Sequence, residues 1–484
     1  MRIRRLLFAL ALSFAAVAQA AEVGGPTQHQ VRYAMQMDPV TVSELPSPDP
    51  NAEEPRREID HRRHRPLELF LAAPLPFDDR APVATATIAP PKMRAAFSAS
   101  DSGFLAPSDA SGAVGKEYVV AATNAGLLIQ DRAGAVLKGA SLFTFLGNGV
   151  SGSGVYYDPR IAYDAAADRW IVIGNNDRSG GVYMILAVSQ TGDPRGTWTR
   201  YSLAIGDFPG IDFSRLALSR DTVMIGTQLT EASKCYIVSI RKSDLYAAPA
   251  SLPTKQYDFV MYDVAPVQAD EAPFEYAVHD NFGQIEVKRL EDSTWQKVER
   301  AITWSQNTAY APQPGTTNKL DTGFLYPIEN AVYRNGSVYV VHSGNRSGRS
   351  AIIWWKINPD TGARLDSGTI EDPAGEKYYA YPSLAVNRLG AMVIGFSTFS
   401  SKTYPAAGYV YRDPNGNVST TAELKTGEGP FLWSDRWGDY TTTVMDPLND
   451  RAFWTLQIVS LNNRWQTWWG KIELEPGRRR SARH

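Results

Sequence analysis

Short runs in which apolar residues alternate with small or polar ones recur at Tyr118–Asn124, Trp170–Asn176, Thr222–Gln228, Phe274–Asn281, Ser337–Gly344, Ala391–Thr398 and Ala452–Val459. Their starts, 118, 170, 222, 274, 337, 391 and 452, lie 52, 52, 52, 63, 54 and 61 residues apart. A period of two is the signature of a strand with two unlike faces, and a fixed spacing of this length is an internal repeat. A second alternating run precedes most of these, as at Arg160–Asp164, Arg215–Ser219, Ala331–Arg334, Leu384–Asn387 and Thr441–Asp446. A third follows, as at Tyr183–Ser189, Cys235–Ile240 and Ala351–Ile357, and a fourth is visible at Trp198–Leu203 and Trp295–Ile302. Four strands per repeat predict an all-β fold, a seven-bladed β-propeller. The last repeat shows only three strands, ending at Trp465–Leu474. Its outer strand is expected from Met93–Phe104, which would pair the two ends of the chain and leave no open edge in the ring.

Residues 1–20 read as a secretory signal peptide: Arg2, Arg4 and Arg5, an apolar run from Leu6 to Val17, then Ala18–Gln19–Ala20 with cleavage near Ala20. No later segment approaches the roughly 20 apolar residues of a membrane span, so a secreted or periplasmic protein without a membrane span is expected. Residues 21–92 read as a Pro- and charge-rich linker or pro-segment, residues 93–474 as the propeller and 475–484 as a basic tail. With 49 basic against 51 acidic side chains, the chain lacks the basic stripe of a general nucleic-acid binder. Cys235, the single cysteine, sits in an alternating run and reads as a buried, inert thiol. A monomer is expected.

In a propeller the innermost strands all run the same way along a central channel, so residues just before them gather on one face. Asp109, Asp158, Asp212, Asp263, Glu329 and Asp439 occupy that position in six repeats, and the sixth repeat offers Tyr379 and Tyr381. An acidic rim at one channel mouth would raise its own carboxyl pKa values unless compensated. A divalent cation such as calcium, held by Asp109, Asp158, Asp263 and Asp439, is one compensation. Another is that the carboxylates accept backbone N–H bonds in the connecting turns, with Arg160, Arg215 and Arg436 balancing the charge. His279 and His342 fall five residues into the second strands of adjacent repeats, where others carry Thr123, Asn175, Thr227, Phe396 and Gln457. Imidazoles there would reach the same face and could serve as a catalytic acid/base pair; the position equally suits a plain polar strand-end group.

Several strings also form a pattern. Pro107–Ser108–Asp109–Ala110–Ser111–Gly112–Ala113–Val114–Gly115, then Asp158–Pro159–Arg160 with Asp168–Arg169–Trp170, then Asp193–Pro194 with Gly196–Thr197–Trp198, and finally Arg436–Trp437–Gly438–Asp439–Tyr440 with Asp446–Pro447 occur in order. Together they resemble a family of secreted bacterial propeller-like repeat proteins. The resemblance implies fold and export, and no chemistry. Asp207–Phe208–Pro209–Gly210 departs from that family's Asp-Tyr-Pro-Lys, so no role for the lysine carries over.

No Gly-x-Ser-x-Gly elbow, phosphate loop or His-Glu-x-x-His helix occurs. The leading expectation is therefore a rigid exported scaffold that binds an extracellular glycan or protein at the channel face, through Asp158, Arg160, Asp212, Tyr381, Arg436 and Asp439. A carbohydrate-active lyase or hydrolase using His279 and His342 is the alternative, and a purely structural envelope or adhesion role the third.

Overall fold

The computed structural model describes residues 29–47, 57–58, 87–101, 105–147 and 155–475, apart from short stretches at 179–180, 207–209, 230–233, 260–262, 273, 281–284, 293–295, 298–309, 324–327, 433 and 462. The signal peptide at 1–20, most of 21–92 and the tail beyond 475 lie outside the described residues.

The fold is all-β and propeller-like. Among the described residues its strands form successive antiparallel sets of four, the first six laid down in sequence order from first strand to fourth, with Thr87–Ile88 added in parallel at the edge of the sixth. The first strands are Ser111–Val114, Val155–Asp164, Ile211–Leu218, Val264–Pro266, Ile328–Arg334, Tyr378–Val386 and Thr442–Asp446, and the units are numbered 1 to 7 in that order. Each first strand touches that of the next unit, and Thr442–Asp446 returns to touch Ser111–Val114. Unit 7 takes its fourth strand from the other end of the chain: Met93–Asp101 pairs antiparallel with Arg464–Glu473, Ile472 opposite Met93 and Gln466 opposite Asp101.

The reason for the small residues in Ser111–Gly115 is visible in the packing. A Cβ on Gly112 would lie 2.5 Å from the ring of Trp469 in unit 7, and one on Gly115 would lie 2.5 Å from the ring of Trp170 in unit 2. Unit 1 thus accepts an indole from each neighbour, and both indoles are fully buried. Trp469 meets Trp454 edge to face at 6.1 Å, and Phe97 of the terminal strand meets Trp454 at 6.1 Å from another side. Such contacts supply area and geometry together. Trp354 and Trp355 of unit 5 are buried as well.

One part of the linker expectation is corrected. His29–Thr41 is a strand, inserted between the fourth strands of units 2 and 3 and antiparallel to both, with Met35 opposite Ser202 on one side and Ser251 on the other. It joins the two units into a nine-stranded sheet. Ala34, Val40, Val42 and Leu45 supply buried apolar surface, and two open sheet edges supply backbone partners. The Pro and charge content of the surrounding sequence hides this short apolar pattern. Cys235 is buried, and burial pushes its thiol up to about 12, which keeps it inert at neutral pH. Among the described residues no helix is long and apolar enough to cross a membrane.

The Gly112–Trp469 contact predicts a non-additive pair. Gly112→Ala is expected to cost about 1–3 kcal/mol by overpacking, and Trp469→Ala about 3–5 kcal/mol by leaving a cavity. The double variant should be more stable than the sum of the two predicts, because the added methyl enters the space the indole leaves. Urea unfolding of the four proteins measures this, and strict additivity would refute the contact.

Candidate functional site

The first strands begin with an unusual backbone. Asp109, Asp158, Phe213, Asp263 and Tyr381 all have φ between 49° and 56°, in the left-handed region. Asp tolerates this conformation because its short side chain bonds locally, whereas Phe213 and Tyr381 are outliers that only surrounding contacts can hold. In units 2, 3, 5 and 6 the pairing slips at the same place, between Tyr157 and Arg160, Asp212 and Arg215, Ile328 and Asn330, and Ala380 and Ser383. A bulge re-aims side chains. Here Asp158 and Glu329 fall within the slip and Asp212 just before it, with Arg160 and Arg215 just after it.

The slip also leaves backbone N–H groups that the neighbouring unit satisfies. Asp109 Oδ1 accepts from Asp439 N–H at 2.9 Å, Asp158 Oδ2 from Phe213 N–H at 2.8 Å, and Asp263 Oδ2 from Ile328 N–H at 3.1 Å. Asp212 Oδ1 bonds to the same Phe213 N–H at 2.9 Å. Glu329 accepts from Ser343 N–H and, at 2.8 Å, from the Ser343 hydroxyl. Asp109, Asp158, Asp212, Asp263 and Glu329 are therefore backbone acceptors, whereas the Asp439 carboxylate is held by Arg436.

Three of them also converge. Asp109, Asp158 and Asp439 each offer a carboxylate oxygen, and these oxygens lie within 4.8 Å of one another. This triad could hold a metal ion: a set of oxygen donors suits a hard cation such as calcium, magnesium or manganese. Asp263 stands outside the triad, paired with Arg215. Burial and the charge of Asp439 push the Asp109 carboxyl up to about 7, and burial with the charges of Asp212, Asp109 and Asp439 raises Asp158 well above the usual range. Asn124 Nδ2 donates to Asp109 at 2.7 Å, and Asn175 Nδ2 donates to Asp158 at 3.3 Å. Asp439 is the most open of the three, with 17% of its side chain exposed.

Arg436 Nη2 donates to both Asp439 oxygens, at 2.7 and 2.8 Å, and its Nε lies 3.4 Å from Asp321. Burial works against the Arg436 cation, yet the charges of Asp439, Asp321 and Asp109 hold its pKa well above normal. Tyr381 donates its phenol hydrogen to Asp321 and is fully buried. Burial pushes Asp321 up to about 6, against the pull of Arg436. Below the triad, the Arg160 guanidinium lies 3.1 Å from the Tyr440 ring centroid and 5.5 Å from that of Phe213, and Arg215 lies 4.5 Å from Phe213. Tyr440 donates to Pro159 O at 2.9 Å. Residues from units 2, 3 and 7 thus pack together beside the triad.

The His342 ring is placed otherwise than its strand position suggests. His279 lies opposite Val264 and His342 opposite Ile328, so both backbones are beside the rim. The His342 ring, however, turns into its own unit, where it is fully buried and lies edge to edge with Trp355, the ring planes 19° apart and the centroids 6.3 Å. Trp355 Nε1–H donates to Nε2 at 2.9 Å, and Nδ1 lies 3.1 Å from Ser343 O, which fixes the neutral tautomer with hydrogen on Nδ1. Burial lowers its pKa to about 4. His279 is buried too. Asp321, Asn124, Phe213 and Tyr440 are site residues that the motif reading did not assign. The 63-residue spacing between the fourth and fifth repeats was the one signal for Asp321, which arrives on the inserted segment.

No family model and no curated protein matches the chain. Among solved structures it overlaps an exo-β-1,3-galactanase from Phanerochaete chrysosporium at 12% identity, covering 76% of this chain and 95% of that one, with a TM-score of 0.30. An oligogalacturonate lyase in complex with manganese overlaps at 8% identity over 80% and 98%, TM-score 0.37, and TolB from Acinetobacter baumannii at 10% over 76% and 80%, TM-score 0.30. Overlaps of this extent carry no argument about activity.

The raised carboxyl gives a signed pH effect. An acid at about 7 when folded and 3.8 when unfolded binds more protons folded than unfolded between those values, so its contribution to stability falls as pH rises from about 4 to about 7. Thermal unfolding in chelator should show Asp109→Asn gaining on the wild type across that window, and a constant difference would contradict it.

Proposed function

We propose that this protein is an exported seven-bladed β-propeller that acts on an extracellular glycan at the mouth of its channel, with the Asp109–Asp158–Asp439 cluster in place of the histidine pair as its working group. The observation that carries the reading is the convergence of three carboxylate oxygens within 4.8 Å, contributed by units 1, 2 and 7 of a rigid ring. Ring hydroxyls and carboxylates of a glycan are oxygen ligands for a hard cation, and the Asp109 carboxyl, pushed up to about 7, can exchange protons near neutral pH. Asp109, Asp158 and Asp439 would hold the cation, which when bound would polarise a ligand oxygen. Arg436 orients Asp439 through its two bonds, and Asn124 and Asn175 orient Asp109 and Asp158. His342, neutral and bonded to Trp355, supports the strand that carries Ser343.

One observation favours a second reading, a scaffold that holds a glycan or protein ligand unchanged. Asp109 and Asp158 already serve as acceptors for backbone N–H groups of neighbouring units, a use that needs no chemistry.

Two measurements decide. Calcium or manganese titrated into the mature chain should bind more tightly at pH 8 than at pH 6, because the ligands must lose protons, and Asp158→Asn or Asp439→Asn should weaken binding by about tenfold or more, or about 1.4 kcal/mol. A panel of polysaccharides, assayed with and without the cation for new reducing ends or unsaturated products, should show turnover that these variants lose. Retention of a glycan without any product would establish the scaffold; no cation or glycan binding would remove the site.

A further inference from the structure

We propose that the guanidinium groups of Arg160 and Arg215, packed around Phe213 beside the triad, bind a carboxylate, which makes the ligand of the triad site an acidic, uronate-bearing glycan. The inference rests on the channel mouth being the ligand site. Among the described residues, Arg160 Nη2 and Arg215 Nε and Nη1 are buried and have no hydrogen-bond partner. Both side chains are more than nine-tenths buried. An unmatched donor on a charged group in that setting is costly, and two of these groups share one place in the fold.

Nearby acids do not take up these donors. Arg160 Nε is used by Ser214 O at 2.7 Å, and its face is covered by Tyr440. Asp158 Oδ2 is bonded to Phe213 N–H and to Asn175. Asp263 engages only the Nη2 of Arg215, which also reaches Ile328 O at 3.0 Å. The remaining nitrogens flank Phe213, whose ring lies within 5.5 Å of both guanidinium carbons. Its left-handed backbone at φ 52° is fixed by the carboxylates of Asp158 and Asp212. A planar ion with two oxygens matches guanidinium forks. Asp109, Asp158 and Asp212 close by disfavour a dianion such as phosphate, so a monovalent carboxylate is the matching charge. A hydroxyl-bearing ring with one carboxylate, with hydroxyls at the triad and the carboxylate below it, is a uronate.

Calorimetric titration of the full mature chain with glucuronate, glucose and acetate, each with and without calcium, tests this. Glucuronate should bind roughly tenfold or more tightly than glucose, and Arg160→Gln should abolish the difference. Should Arg160→Gln fail to fold, Arg160→Lys keeps the charge but not the fork and should also lose the preference, while in the wild type the Arg215 Nε–H resonance should shift on adding glucuronate and stay fixed on adding glucose. Acetate binding as tightly as glucuronate would support the carboxylate site with a free small acid as its occupant. Equal binding of glucuronate and glucose, with calcium still bound, would overturn the inference and leave the triad site standing. Binding of none of the three, with the arginine nitrogens served by water only, would overturn it too, and loss of calcium binding as well would overturn the proposed site itself.

Discussion

The structure depends on short polar bonds that cross from one unit to the next at the starts of the first strands. Asn124 and Ser111 of unit 1 accept from Asp158 N–H and Ile161 N–H of unit 2, and Asp158 from Phe213 of unit 3. Arg215 pairs with Asp263 between units 3 and 4, and Asp263 accepts from Ile328 of unit 5. Asn330 accepts from Leu384 N–H of unit 6, and Ser383 bonds Thr441 and Thr443 of unit 7. Asp109 accepts from Asp439 N–H and Thr442 from Gly112 N–H, which returns the chain of bonds to unit 1. Most are buried groups whose loss would leave a partner unmatched, where the penalty is largest; Asn330 and Thr442 are half-buried.

This use explains why the same residues make a candidate site. Asp109 and Asp158 turn their carboxylates to N–H groups of neighbouring units, and there they meet Asp439, which Arg436 holds. Burial, first, and the neighbouring carboxylate charges raise the proton affinity of Asp109 and Asp158. A structural device on a closed ring thus produces a chemically unusual cluster, and the left-handed backbone at Asp109 and Asp158 is what aims it.

The repeat was legible because alternation is local. The second strands start at Tyr118, Arg169, Thr222, Tyr276, Ser337, Met392 and Asn449, close to the starts read from the sequence, and Asp109, Asp158 and Asp439 were placed by their offset from those strands. What depends on a partner far away in the chain was not legible. The alternation around His342 fixes its backbone beside the rim, but only Trp355 across the hairpin decides that the ring turns inward. Asp321 joins Arg436 and Tyr381 from an insertion with no repeat equivalent. His29–Thr41 reads as part of a charged tract because its buried residues, Ala34 and Val40, are few and its stability comes from two strand edges supplied by units 2 and 3.

The pairing of Met93–Asp101 with Arg464–Glu473 also has a mechanical sense. The strands are antiparallel, with the beginning of one beside the end of the other, Met93 opposite Ile472. A load on the C-terminal end therefore meets the hydrogen-bonded pairs one after another, from Ile472 toward Gln466, rather than all at once in shear. The seam that makes the ring continuous is then also one that tension unzips pair by pair, and the buried indoles of Trp465 and Trp469 lie along the line of peeling.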